Sequence, residues 1–103
     1  MNTNSSLAAG ALLIALTAVA SAKPLTGHQY LKEAKISLQS ARAIALRVLP
    51  GGKIVDQELE RERGGSGLRY SFDIRVAHGE REVGVDAKTG KVLENSVEGP
   101  NKD

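Results

Sequence analysis

From Leu68 to Val76 hydrophobic and polar side chains alternate without a break. Leu68, Tyr70, Phe72, Ile74 and Val76 fall on one side of an extended chain, and Arg69, Ser71, Asp73, Arg75 and Ala77 fall on the other. A period of two over this length predicts a strand with one face on a core and one toward water. Upstream the period changes. Leu38, Ala41, Ile44, Ala45 and Val48 recur at three- and four-residue spacing, the apolar stripe of an amphipathic helix. Ser37 stands where an N-cap belongs, although Ser40 occupies the place of the reciprocal glutamate of a capping box. Pro50 disfavours helical geometry at Leu49, and Gly51-Gly52 permit the reversal that follows. The predicted helix spans 38–49. A shorter helical piece is expected over 28–35, with Thr26 as its cap.

Residues 54–63 predict a first strand, although Gln57, Glu58, Glu60 and Glu62 are poor strand formers. With Gly64-Gly-Ser-Gly67 as the connection, Arg63 faces Leu68, Leu59 faces Phe72 and Val55 faces Val76. This register sets Glu62 against Arg69 and Asp56 against Arg75, and leaves only Glu58 against Asp73 unfavourable. His78-Gly79 predicts the second turn, with a positive φ at Gly79, so that Ile74 meets Val83, Phe72 meets Val85, Tyr70 meets Ala87 and Arg75 meets Glu82. Asp86-Ala-Lys-Thr-Gly90 suits a turn in which the Asp86 carboxylate accepts backbone N–H bonds and Gly90 closes in the left-handed region. Val92 and Leu93 begin a fourth strand, and a frayed tail follows over 95–103. The expected fold class is α+β: one main helix packed on a four-stranded antiparallel β-meander in two layers. Its outer sheet face, carrying Glu58, Glu60, Arg69, Arg75 and Glu82, is expected to be wet.

Composition narrows the setting. Leu7 to Ala22 is an apolar, alanine-rich run of 16 residues that ends in Ala20-Ser21-Ala22, the small-x-small pattern read by a signal peptidase. A membrane-spanning helix needs about 20 apolar residues, so residues 1–22 are expected to be a signal peptide cleaved after Ala22, although no Lys or Arg precedes the run. The remaining divisions are an N-terminal segment (23–36), a domain (37–94) and the tail (95–103). No cysteine is present, so neither a disulfide nor a lipid-bearing cysteine is available. A net charge of +2 and only three aromatic residues give no polyanion-binding or base-stacking surface, which argues against nucleic acid as a partner.

Five segments in order resemble the PepSY domain family: Ala41-Arg-Ala-Ile-Ala-Leu46, Leu49-Pro-Gly-Gly-Lys-Ile-Val55, Glu58-Leu-Glu60, Tyr70-Ser-Phe-Asp-Ile74 and Val83-Gly-Val-Asp-Ala-Lys-Thr-Gly-Lys-Val-Leu93. The last is the most specific, and together they cover most of the chain from Ala34 to Leu93. The resemblance implies a helix packed on an antiparallel sheet and a periplasmic or secreted setting. It also implies an association with propeptides of secreted thermolysin-like metallopeptidases, where such modules are linked to inhibition. It brings no catalytic constellation, and its recurring Pro, Asp and Gly, here Pro50, Asp86 and Gly90, look structural.

The residues themselves give no reaction. His28 and His78 have no clustered ligands beside them, so no metal site is expected. Asp86 is better suited to turn capping than to acid catalysis. Gly64-Gly-Ser-Gly67 lacks the Gly-Lys-Ser/Thr ending of a phosphate loop and lies between strands. No nucleophile with a base and an orienting group can be assembled. The expected protein is therefore non-catalytic, without cofactor, monomeric or weakly dimeric, and acts by protein binding. The leading partner class is a secreted or periplasmic peptidase that it inhibits or regulates. The alternative is a sensing or accessory module of an envelope signalling or membrane redox system. Ser37, Pro50, Gly51, Gly79, Asp86 and Gly90 are the expected turn and cap residues, and Glu58, Glu60, Arg69, Arg75 and Glu82 the expected partner-binding face.

Overall fold

The computed structural model describes residues 23–98, so the expected signal peptide lies outside the described residues. The chain runs through a short 3-10 turn (His28–Glu33), helix α1 (Leu38–Val48) and strands β1 (Lys53–Arg61), β2 (Leu68–Val76), β3 (Gly79–Asp86) and β4 (Val92–Glu98). The strands form one antiparallel sheet in the order β1-β2-β3-β4. The helix lies on one face of it. This is the expected two-layer α+β meander.

Helix α1 begins where Ser37 accepts a hydrogen bond from the Ser40 amide at 3.0 Å, which satisfies one of the unpaired donors of its first turn. Its fully buried residues are Ala41 and Ala45, whose small side chains bring the helix axis close to the sheet, while Ile44 and Leu46 pack at the margins. The helix ends at Val48, one residue short of the expected limit, and Pro50-Gly51 form the turn closed by the Gly52 amide on the Leu49 carbonyl. Beneath it lie Ile54, Leu59, Leu68, Tyr70, Phe72, Ile74, Val83 and Val85, all buried. Tyr70 is buried to its hydroxyl, which donates to the Ile36 carbonyl at 2.8 Å and so ties the chain entering α1 to the central strand.

Both hairpins differ from their expected registers by two residues. Leu59 pairs with Tyr70 and not Phe72, because Glu62 and Arg63 join the loop and Arg61 is the residue opposite Leu68. Phe72 pairs with Val83, Tyr70 with Val85 and Arg75 with Glu80, because the turn is Ala77-His78 and Gly79 is already paired with Val76. No non-glycine residue among those described has a positive φ, so the left-handed step of this turn falls on Gly79, at 127°. A displacement of two keeps every side chain on its expected face, which is why the core composition survives it. A bulge between Ile54 and Asp56 adds a phase change in β1: Ile54 enters the core, Val55 stands aside, and Gln57 and Leu59 resume the inward positions.

The N-terminal segment also departs from expectation. Thr26 does not cap a helix. Its amide donates to the Gln57 carbonyl and its carbonyl accepts from the Leu59 amide, so it lies parallel along the outer edge of β1. Gly27 precedes the 3-10 turn, which stops at Glu33. The middle of the β1 edge is thereby covered. At the other edge β4 continues to Glu98, beyond the expected start of the tail.

Candidate functional site

Two polar regions stand out, a buried junction around Asp86 and the sheet face turned away from the helix. At the junction Asp86 is 1% exposed, yet it carries a charge. Its Oδ1 accepts from the Lys88 amide at 2.8 Å, the Thr89 amide at 3.2 Å and the Ser66 hydroxyl at 2.7 Å. Its Oδ2 accepts from the Ser66 amide at 2.7 Å. Burial alone would push the carboxyl up, but the bonds from Lys88, Ser66 and Thr89 outweigh it and bring the pKa down to about 2. The main chain repeats the theme: the Gly90 amide donates to the Asp86 carbonyl, the Asp86 amide to the Lys91 carbonyl, and the Ala87 carbonyl accepts from both Lys35 and Ile36. One short segment thus fastens its own turn, the β1–β2 loop and the approach to the helix.

The expected capping role of Asp86 toward its own turn is observed. Its reach to Ser66, 20 residues away in sequence, carries no signal in the sequence. The glycine-rich loop is accordingly pinned to the β3–β4 turn. A Cβ on Gly65 would come within 2.3 Å of Asp86 Oδ2 and 2.9 Å of Leu93 Cδ1, at a φ of 55° that favours glycine. With four hydrogen bonds accepted and almost no exposure, this carboxylate is shut away from an approaching substrate. Gly90 has the expected left-handed conformation, with a φ of 83°. His28 and His78 are both exposed and lie on separate elements, and among the described residues no group of His, Asp and Glu is spaced to hold a metal ion.

The outer face of the sheet is assembled from rows of paired residues. Glu58, Ser71, Gly84 and Glu94 form one row; Glu60 and Arg69 belong to the next. The face is less wet than alternation suggests. Arg69 is only 7% exposed: Nη1 reaches Glu94 Oε1 at 3.3 Å, Nη2 donates to the Arg63 carbonyl at 3.0 Å, and the buried Nε makes no hydrogen bond. Gly84 makes room for it, since a Cβ there would lie 3.3 Å from Arg69 Cδ and Nη1. Ser71 is buried too, and its hydroxyl donates to Glu60 Oε2 at 2.8 Å.

The corrected register also changes the charge pairs. Glu60, not Glu62, lies opposite Arg69; Asp56 faces Asp73; and Arg75 meets Glu80 at 3.2 Å, not Glu82. Glu58, Glu60 and Glu62 follow one another on the same side of the chain. Burial first, and then the charges of Glu58 and Glu62, raise the Glu60 carboxyl above its usual value against the opposing Ser71 bond. Asp56, Glu58, Glu60, Asp73, Glu80, Glu82 and Glu94 therefore share this face with three cations: Lys53, Arg69, which Glu94 already engages, and Arg75, which meets Glu80. The result is a rigid acidic surface on a chain whose net charge is +2. It brings together Glu58, Glu60, Arg75 and Glu82 of the expected partner-binding face, while Arg69 serves beneath it as a support.

No curated protein and no solved structure matches the chain. Among family models, the one described as "Peptidase propeptide and YPEB domain" matches residues 35–95, from the approach to α1 through the first half of β4. That span takes in the helix, the three complete strands β1 to β3 and the whole Asp86 junction, and the chain belongs to the PepSY family.

Proposed function

We propose that this chain is an exported, non-catalytic PepSY protein that binds another protein and restrains a secreted or periplasmic peptidase. The observation that carries this reading is the match to a peptidase-propeptide domain over residues 35–95. The outer sheet face supports it. Four paired strands hold its carboxylates in fixed rows, and like-charge crowding at Glu58, Glu60 and Glu62 is relieved when a basic surface arrives. Exposed charges on a rigid support give orientation and association rate more than affinity, so the fit is to a peptidase surface carrying Lys and Arg around its substrate cleft. Among the described residues no helix is long and apolar enough to cross a membrane.

The test is direct binding. The full chain is passed over immobilised secreted thermolysin-like metallopeptidases at low and at high salt. The reading expects saturable binding that weakens with salt and is lost when Glu58, Glu60 and Glu82 are together replaced by Lys. Absence of binding at micromolar concentration removes peptidase restraint, and binding indifferent to the triple replacement removes the outer face.

A further inference from the structure

On the helix side of the sheet, α1 and the N-terminal segment leave between them a crevice of about 590 Å³, within the size range of small-ligand sites. Its floor is Gln57, and its walls carry Lys23 and Pro24 on one side and Ser37, Leu38, Gln39 and Arg42 on the other. Gln57 occupies a core position, opposite Phe72, and is 6% exposed. An amide there has a desolvation cost that an apolar side chain would not have. Its bonds show what it does. Oε1 accepts from Arg42 Nη1 at 2.7 Å and Nε2 donates to the Lys23 carbonyl at 2.8 Å, so one buried side chain holds both walls apart at a fixed width.

The chemistry of the lining selects the occupant. Two cationic side chains, Lys23 and Arg42, and no carboxylate line the crevice. A guanidinium has five N–H donors and a primary amide two; the bonds named above use one of Arg42's and one of Gln57's. The crevice therefore presents donors and positive charge, which call for an anion with in-plane acceptor oxygens. Pro24 and Leu38 supply the apolar part of the lining. Ser37 and Gln39 stand beside it as partners for a peptide group. We infer that this crevice binds the free C-terminal carboxylate of a peptide that ends in an apolar residue. The carboxylate meets Arg42 and Gln57, and the terminal side chain lies against Pro24 and Leu38.

This site is on the opposite layer from the acidic sheet face, so it stands or falls independently of peptidase restraint. The test uses the isotope-labelled full chain and an N-acetylated dipeptide ending in leucine, as free acid and as C-terminal amide, with decanoate as a third arm. The expected result is saturable shifts of the Leu38, Gln39, Arg42 and Gln57 amide resonances with the free acid, with at least tenfold weaker binding of the amide. Arg42→Gln should abolish the preference for the acid. Lys23→Gln, whose side chain makes no bond to Gln57, should weaken the acid without altering the fold, as read by the undisturbed resonances of β2 and β3. No saturable shift, equal binding of acid and amide, or tighter binding of decanoate than of the peptide acid would overturn the inference.

Discussion

Replacing Asp86 by Asn changes one oxygen to an amino group at the point where three segments meet. At neutral pH the native carboxylate, with a pKa of about 2 against an ordinary 3.8, contributes about 2 kcal/mol, at about 1.4 kcal/mol per unit of displacement. The variant loses that charge. It also sets an N–H against the Ser66 amide or against the Lys88 and Thr89 amides, where only acceptors fit. A buried donor left without a partner costs about 1–3 kcal/mol, which brings the total to about 3–5 kcal/mol. For a domain of this size the melting temperature should fall by at least about 10 °C. The folded pKa lies below the unfolded one, so this stabilisation is complete above about pH 4 and drains away as pH falls toward 2. Urea unfolding of both chains between pH 7 and pH 2 should therefore show a gap that is widest at neutral pH and closes progressively in acid. A gap below about 0.5 kcal/mol at pH 7, the size of an ordinary surface substitution, would refute the reasoning. So would a gap that stays constant down to pH 2.

Other substitutions probe the remaining contacts. Tyr70→Phe removes the bond to the Ile36 carbonyl and should cost about 1–2 kcal/mol in urea unfolding, with the loss centred on the helix approach. Gly65→Ala combines an unfavourable φ with an approach to Asp86 and should cost about 1–3 kcal/mol, and Ala in place of Gly67, which has open space around it, should cost less. Glu60→Gln removes a carboxylate that the fold disfavours, so equilibrium stability at pH 7 should stay within about 0.5 kcal/mol of the parent while peptidase binding weakens.

The elements of this fold are legible from the sequence because each has a clear period: 3.6 over 38–48, and two over 68–76. The inward face is legible for the same reason. The registers are not, and the reason is the same periodicity: sliding a strand by two residues returns every side chain to its face, so alternation cannot distinguish Leu59 against Phe72 from Leu59 against Tyr70. Loop length decides between them. Glu62 and Arg63 have nothing in their type that assigns them to a loop, and Gly79 serves a positive φ equally well inside the turn or just after it. Asp86 reads correctly as a turn residue from its local setting, but its bond to Ser66 depends on the folded sheet bringing the two loops together. Arg69 reads as a solvated charge and is buried, because the glycine at position 84 on the neighbouring strand leaves a trough that its stem fills. Gln57 reads as a weak strand residue, and only the arrangement of α1 and the N-terminal segment shows why an amide stands in the core.

Under the proposed function, this protein occupies a peptidase and performs no chemistry of its own. The most direct test is residual peptidase activity as the full chain is titrated into a secreted thermolysin-like metallopeptidase. The account predicts a saturable fall in activity that reaches completion near one chain per enzyme, with the chain recovered intact, and no fall with the triple Glu58, Glu60 and Glu82 replacement. Full activity at micromolar excess of the chain would contradict it.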